Sequence, residues 1–191
     1  MDIPRYKKAL PKFEHDDKTE ERYNKRVAEG SNEFALLDRD NIYLPGAVSA
    51  IEPCDLYRNP REFIHVKRYG GSSLLSHLFN QGLVSGELFK SEKVFRQKVN
   101  EKLPETHKIA NAEAPPKDNE YSIVYAIISE YEEDLSIPFF SKISLRHAIH
   151  RLTAIGFQVE IAKIAVSDDA KLTKVYPAAQ PRAKKKAFAV G

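Results

Sequence analysis

The chain has 191 residues, 42% of them hydrophobic, and its 30 Lys/Arg against 27 Asp/Glu give a net charge of +3; the length fits one ordinary domain, and the apolar share supports a core rather than a disordered chain. No run of about 18 apolar residues is present to cross a membrane, and no basic, then apolar, leader opens the sequence. The single cysteine, Cys54, excludes an internal disulfide framework and a multi-thiolate zinc site, and fits a reducing, cytoplasmic setting.

Residues 1–17 carry Pro4, Pro11 and mixed charge without periodicity, and read as a flexible arm. Thr19 is placed to cap a helix from about Glu20 to Glu29, with acids in its first turn and Gly30 at its end. Phe34 to Asp38 reads as a strand, followed by turns at 38–41 and at Pro45-Gly46. Ala47 to Leu56 reads as a second strand and Arg58-Asn-Pro60 as a turn. Phe63-Ile-His-Val-Lys67 alternates, with Phe63, His65 and Lys67 on one face and Ile64 and Val66 on the other. Ser72 or Ser73 is placed to cap a helix from Leu74 to Phe89, whose Leu74, Leu75, Leu78, Phe79 and Leu83 form an apolar face while His77, Gln81 and Ser85 recur on another.

A basic helix from about Ser91 to Lys102 follows, ended by Pro104, and then a surface loop over 112–119. Tyr121 to Ser129 is an apolar, interior strand. Phe139-Phe140 reads as a staple for the next helix rather than a stacking platform, because the aromatic count is ordinary. That helix runs from Ile143 to Ile155 and is closed by Gly156. Phe157 to Val166 is the last strand, and 168–191 reads as a polar, basic, loosely ordered tail. The domain between residues 18 and 167 therefore has the order α-β-β-β-α-β-α-β, an α/β fold with a mixed central sheet flanked by helices.

Charge is unevenly placed. Arg58 to Lys108 holds ten Lys/Arg against five Asp/Glu, Ile109 to Asp134 holds one Lys against seven acids, and Arg182-Ala-Lys-Lys-Lys186 adds four positive charges. A basic middle and tail suit a polyanion, with ordinary surface charge as the plain reading. No Walker loop and no Gly-x-Gly-x-x-Gly is present, and His147 and His150 lack a third ligand for a zinc site.

The sharpest local feature is Ile51-Glu-Pro-Cys-Asp55 on one strand and His65-Val-Lys67 on the next. A carboxylate beside a lysine where two strands diverge suits metal-assisted phosphodiester hydrolysis. The carboxylate holds a hard cation, the cation polarises phosphate and activates water, and the ammonium steadies the charge that develops. The plain readings are a turn-capping Asp55, a solvated Lys67, a hydrogen-bonded His65, a helix-capping Glu20, and ordinary helix residues at His77 and Gln81. Cys54 reads as packed inside its strand.

This pattern resembles the PD-(D/E)xK nuclease superfamily with its restriction-endonuclease-like fold. The runs Glu20-x-x-Tyr23-Asn24, Leu36-Leu-Asp38, Ile51-Glu-Pro-Cys-Asp-Leu56, Phe63-Ile-His-Val-Lys-Arg68 and Ser73-Leu-Leu-Ser-His-Leu-Phe-Asn-Gln-Gly82 also resemble the C-terminal part of a sporadically distributed bacterial family of unknown function, whose members tend to lie among mobile and defence genes. The resemblance implies Asp55 as a metal-binding carboxylate and Lys67 as the catalytic lysine. His65 stands where the superfamily has Asp or Glu; relatives with Gln there, including Mrr-type restriction enzymes, still form a metal site. A second carboxylate is then expected from Glu20. Glu52 ranks lower because strand alternation puts it on the face opposite Asp55. Gln81 occupies a place where superfamily members often turn a polar residue to the site.

The function expected from this resemblance is a Mg2+- or Mn2+-dependent nuclease acting on DNA, with Arg68, Lys90, Lys93, Arg96 and Lys98 gripping phosphates and a homodimer as the default assembly. Its rivals are a nuclease-like module that binds DNA without cutting, and a protein-interaction module with a basic surface.

Overall fold

The computed structural model describes residues 3–44, 46 and 50–172. The tail sequence Arg182 to Lys186 and positions 47–49 of the expected second strand lie outside them. The elements are α1 (Glu20–Gly30), β1 (Phe34–Leu36), β2 (Leu56–Arg58), β3 (Glu62–Arg68), α2 (Ser72–Ser91), α3 (Lys93–Lys102), β4 (Ser122–Ser129), α4 (Phe139–Ala154), β5 (Gln158–Ala165) and α5 (Asp168–Leu172).

The five strands form one mixed sheet in the order β1-β2-β3-β4-β5. The β1/β2 and β2/β3 pairs are antiparallel; β3/β4 and β4/β5 are parallel. Period-two alternation sorts each strand's side chains between two cores. Phe63, Ile123, Tyr125, Ile127 and Val159 face Leu75, Phe79, Phe95, Val99, Leu145 and Leu152 of α2, α3 and α4. Ile64, Val66, Val124, Ala126, Ile128, Ala162 and Ile164 face the other way, against Tyr23 and Val27 of α1 and against Phe13. Helices therefore cover both faces, and β4, buried along nearly its whole length, is the continuous apolar run expected of a central parallel strand.

Several boundaries move. The second strand is Leu56–Arg58, short and late, because Pro53 has no N–H to give a ladder; upstream of it Ile51 makes an isolated bridge to Ile42. The Thr19 hydroxyl does cap α1, accepting from the Arg22 amide at 3.3 Å. The phenylalanines at 139 and 140 do not staple α4 from outside. They are its first two residues and stand 72% and 71% exposed.

The arm is not loose over residues 3–17. It runs beside β5, with the Tyr6 amide donating to the Ile161 carbonyl and the Phe13 amide to the Ala165 carbonyl, both at 2.9 Å. Phe13 is fully buried against Tyr23. Residues 168–172 of the expected tail form the short helix α5, where Lys171 pairs with Glu132.

Candidate functional site

The site is built where β3 outlasts β2. Their ladder ends at Leu56↔Ile64, after which the Asp55 amide still donates to the Ile64 carbonyl at 3.1 Å. The next two β3 amides on that side, those of Val66 and Arg68, have no strand to meet. Carboxylates take them instead. Asp55 Oδ2 accepts from Val66 N at 2.7 Å, and Glu20 Oε1 accepts from Arg68 N at 2.9 Å. The first turn of α1 places Glu20 there, and its other oxygen accepts from Lys67 Nζ at 2.7 Å.

Two further acids join. The Leu37 amide donates to the Asp55 carbonyl at 2.9 Å, which sets Asp38 beside Asp55. Glu52, on the irregular stretch before Pro53, accepts from the Arg39 amide. Carboxylate oxygens of Asp38, Glu52 and Asp55 lie within 4.8 Å of one another. Beneath them the Asn24 amide, 0% exposed, donates to Asp38 Oδ2 at 3.0 Å and reaches Asp55 Oδ1 at 3.4 Å, while its own Oδ1 has no partner among the described residues.

The electrostatics follow from crowding. Burial pushes the Asp55 carboxyl well above the usual carboxylate range; Glu52, Asp38 and Glu20 push it further, against the Val66 amide. Glu52 is also raised, chiefly by burial and then by Asp38, with the Lys67 ammonium and the Arg39 amide pulling it down. Three carboxylates this close repel one another unless a proton or a cation intervenes. An all-oxygen donor set is what hard divalent ions take, so Asp38, Glu52 and Asp55 can hold a metal ion.

The structure brings together Asp55, Lys67 and Glu20. It does not bring His65 with them: the ring is 3% exposed on the α2 side of the sheet, 6.1 Å from the Tyr125 ring, with Nε2 unpartnered among the described residues. Burial alone lowers its pKa to about 3, so the ring is neutral, and it is not among the groups that gather within 4.8 Å at Asp38, Glu52 and Asp55. Gln81 is half-buried one helical turn before Ser85, whose hydroxyl donates to the Pro53 carbonyl; it stands on the α2 side that meets the site loop. His77 is exposed, and Cys54 is sealed in the core with its thiol pushed up by burial.

The expected phosphate grips are otherwise engaged. The Arg68 guanidinium lies over the Phe13 ring, 4.3 Å from its centroid. Lys90 holds the Pro116 carbonyl and Asp118, Lys93 pairs with Glu113, and Lys98 holds the Tyr43 carbonyl. Arg96, 3% exposed, binds the carbonyls of Phe89, Lys90, Ala112 and Glu113. Its charge is spent on tying α2 to the loop after α3, and it is closed to a ligand.

Asp38, Glu52 and Asn24 are the residues that sequence reasoning missed or ranked low. Strand alternation demoted Glu52, but alternation holds only inside a strand, and Pro53 keeps 50–55 out of one. Asn24 carried a usable signal, lying four residues after Glu20 and hence on the same helical face.

The chain belongs to DUF6119, a family of unknown function. The family model matches residues 2–165, which spans the whole sheet and all of the site residues above. No curated protein and no solved structure matches the chain.

Proposed function

We propose that this protein is a divalent-metal-dependent nuclease of restriction-endonuclease-like fold, hydrolysing phosphodiesters, DNA by preference, with foreign DNA as the target that a defence role would supply. The observation that carries the reading is the meeting, at the divergence of β2 and β3, of Asp38, Glu52 and Asp55 with the Lys67 ammonium. Asp38, Glu52 and Asp55 would hold Mg2+ or Mn2+, which when bound supplies Lewis acidity toward a phosphate oxygen and a more acidic water. Lys67 presents a positive charge to the phosphate as negative charge builds on its oxygens. Glu20 holds that ammonium in place and shares its other oxygen with the strand edge. Asn24 keeps Asp38 and Asp55 at a fixed separation.

A second reading has its own support. Two of the carboxylates, Asp55 and Glu20, already satisfy β3 amides, as a purely structural strand cap would, and no acid stands at the position of His65. On that reading the protein binds nucleic acid without cutting it.

Plasmid and linear DNA incubated with Mg2+ or Mn2+ separate the two. The nuclease reading expects cleavage by the wild type, loss of at least about a hundredfold in Lys67→Met or Asp55→Asn, as removal of one charge-stabilising group usually costs, and a divalent-dependent rise in melting temperature that Asp55→Asn lacks. Uncut DNA in every arm, with melting indifferent to the metal, ends the nuclease reading.

A further inference from the structure

The five basic side chains that sequence assigned to phosphate are occupied elsewhere, yet another basic surface is open. The buried stripe of α4 is Ser141, Leu145, Ala148 and Leu152. At 100° per residue the opposite face collects Phe139, Lys142, Ile143, Arg146, His147 and His150, all of them exposed. No Asp or Glu occurs on α4. Among the described residues the side chains of Lys142, Arg146, His147 and His150 make no hydrogen bond or ion pair, unlike Arg151 at the far end, which pairs with Glu87. Phe139 and Phe140 stand 72% and 71% exposed at the head of the helix, edge to face at 5.5 Å. Two exposed phenylalanines, an exposed isoleucine and four unpaired basic groups are an uncommon combination on a surface that meets only water.

Topology puts the head of α4 at the end of the sheet where the site lies. Strands β3 and β4 are parallel, with Lys67 beside Ile127 and Arg68 beside Ile128. Chain leaving β4 at that end leads into the head of α4, and chain leaving β3 leads into the head of α2. The two heads are stitched together by the Ser72 and Ser141 hydroxyls at 2.8 Å. Exposed Tyr131, its ring against Tyr69, lies on these connections, and exposed Leu74 is in the first turn of α2. Of the four exposed acids that follow β4, Glu132 is paired to Lys171 and Asp134 to Arg5.

We infer that the outward face of α4 is a binding surface for single-stranded or unpaired nucleic acid, with Phe139 and Phe140 stacking on bases and Lys142, Arg146, His147 and His150 meeting the phosphates. Rings beside unpaired cations are the combination that holds single strands without sequence choice: any base offers a face to stack, and each neutralised phosphate releases counterions. In a duplex the bases are already stacked on one another, so the rings gain nothing there. The inference takes its ligand class from the nuclease reading and adds the form of substrate led toward the site.

The test is binding in chelator, where cutting cannot intervene. Fluorescence anisotropy of a labelled 20-nucleotide oligo(dT) and of a 20-base-pair duplex is followed against salt. The wild type is expected to prefer the single strand. Phe139→Leu/Phe140→Leu, which keeps the apolar area and the helix but removes the rings, is expected to weaken oligo(dT) binding about tenfold or more and to leave the duplex unchanged. Lys142→Gln/Arg146→Gln is expected to flatten the slope of log K against log salt by about 1.4 for the single strand, two phosphate contacts' worth. Because binding is read in chelator, absent cleavage does not touch this inference. Equal binding of both DNA forms with the phenylalanine variant unchanged overturns it, as does no binding at all. A wild type that sediments as a dimer, and a phenylalanine variant that does not, would assign the face to a second copy of the chain and overturn it as well.

Discussion

His65 and Lys67 sit two positions apart on β3 and share no environment. His65 is opposite Tyr125, in the middle of the sheet and under α2. Lys67 is at the end, where the sheet has narrowed and its side chain can reach round to Glu20. The imidazole must be neutral in the folded protein, with a pKa of about 3, whereas in the unfolded chain it titrates near 6.5. The folded pKa is depressed, so below about 6.5 the unfolded state binds a proton that the folded state refuses. Stability therefore falls as pH drops from about 6.5 toward 3, by about 2 kcal/mol at pH 5 from this group alone. Urea unfolding at pH 7.5 and pH 5 is expected to show a smaller loss for His65→Leu than for the wild type. An unchanged difference would mean that this ring is not the buried neutral group.

Helix α2 depends on two glycines that do unequal work. A Cβ on Gly82 would fall 2.5 Å from the Tyr125 ring and 2.8 Å from its hydroxyl, and that hydroxyl donates to the Phe79 carbonyl inside the core. The ring is fully buried and has nowhere to turn. A Cβ on Gly86 would meet Leu152 Cδ2 at 2.5 Å, the far end of a side chain that can change rotamer. Alanine gains about 1 kcal/mol of helix propensity at either place, against about 1–3 kcal/mol for overpacking. Gly82→Ala is thus expected to be destabilising by about 1–2 kcal/mol and Gly86→Ala to be near neutral, as read by paired denaturant melts. Similar costs at both would show that α2 shifts as a unit rather than meeting a rigid ring. The same helix shows how an element can be legible while its partners are not. The apolar face at Leu75, Leu78, Phe79 and Leu83 was readable from spacing, but that Ser85 would reach Pro53, and so carry α2 to the site loop, was not.

At the scale of the whole molecule, the parallel half of the sheet ends at β5, and an exposed strand edge invites another chain. Residues 3–13 cover it. Tyr6 and Phe13 bond to β5, Phe13 plugs the core on the α1 side, and Tyr6, Lys8 and Arg58 converge near Glu62. Deleting residues 1–13 is expected to lower the melting temperature by several degrees, since about 1 kcal/mol moves it about 2–4 °C at this size, and to promote concentration-dependent self-association in size-exclusion chromatography. A truncated protein that melts and elutes as a monomer like the full chain would show that the strap contributes neither stability nor protection.

What sequence determined here is what local pattern determines. Period-two and period-3.6 spacing fixed the strands 63–67 and 121–129, the helix after Thr19 and a helix over Leu74 to Phe89, and with them a mixed sheet covered on both faces; the cap expected at Ser72 or Ser73 falls instead at Gly71, with no side-chain cap bond. The placement of Asp55 alongside the end of β3 that carries Lys67 also followed, because a short antiparallel connection carries its own register. The tertiary structure decided everything that depends on side chains far apart in the chain. It gathered Asp38 and Glu52 around Asp55, withdrew His65 into the core, turned Arg96 inward to four carbonyls, laid the arm on β5, and left α4 facing outward with its phenylalanines uncovered. Alternation tells which side of a strand a residue occupies; it is silent about where the strand stops and what is packed against that side.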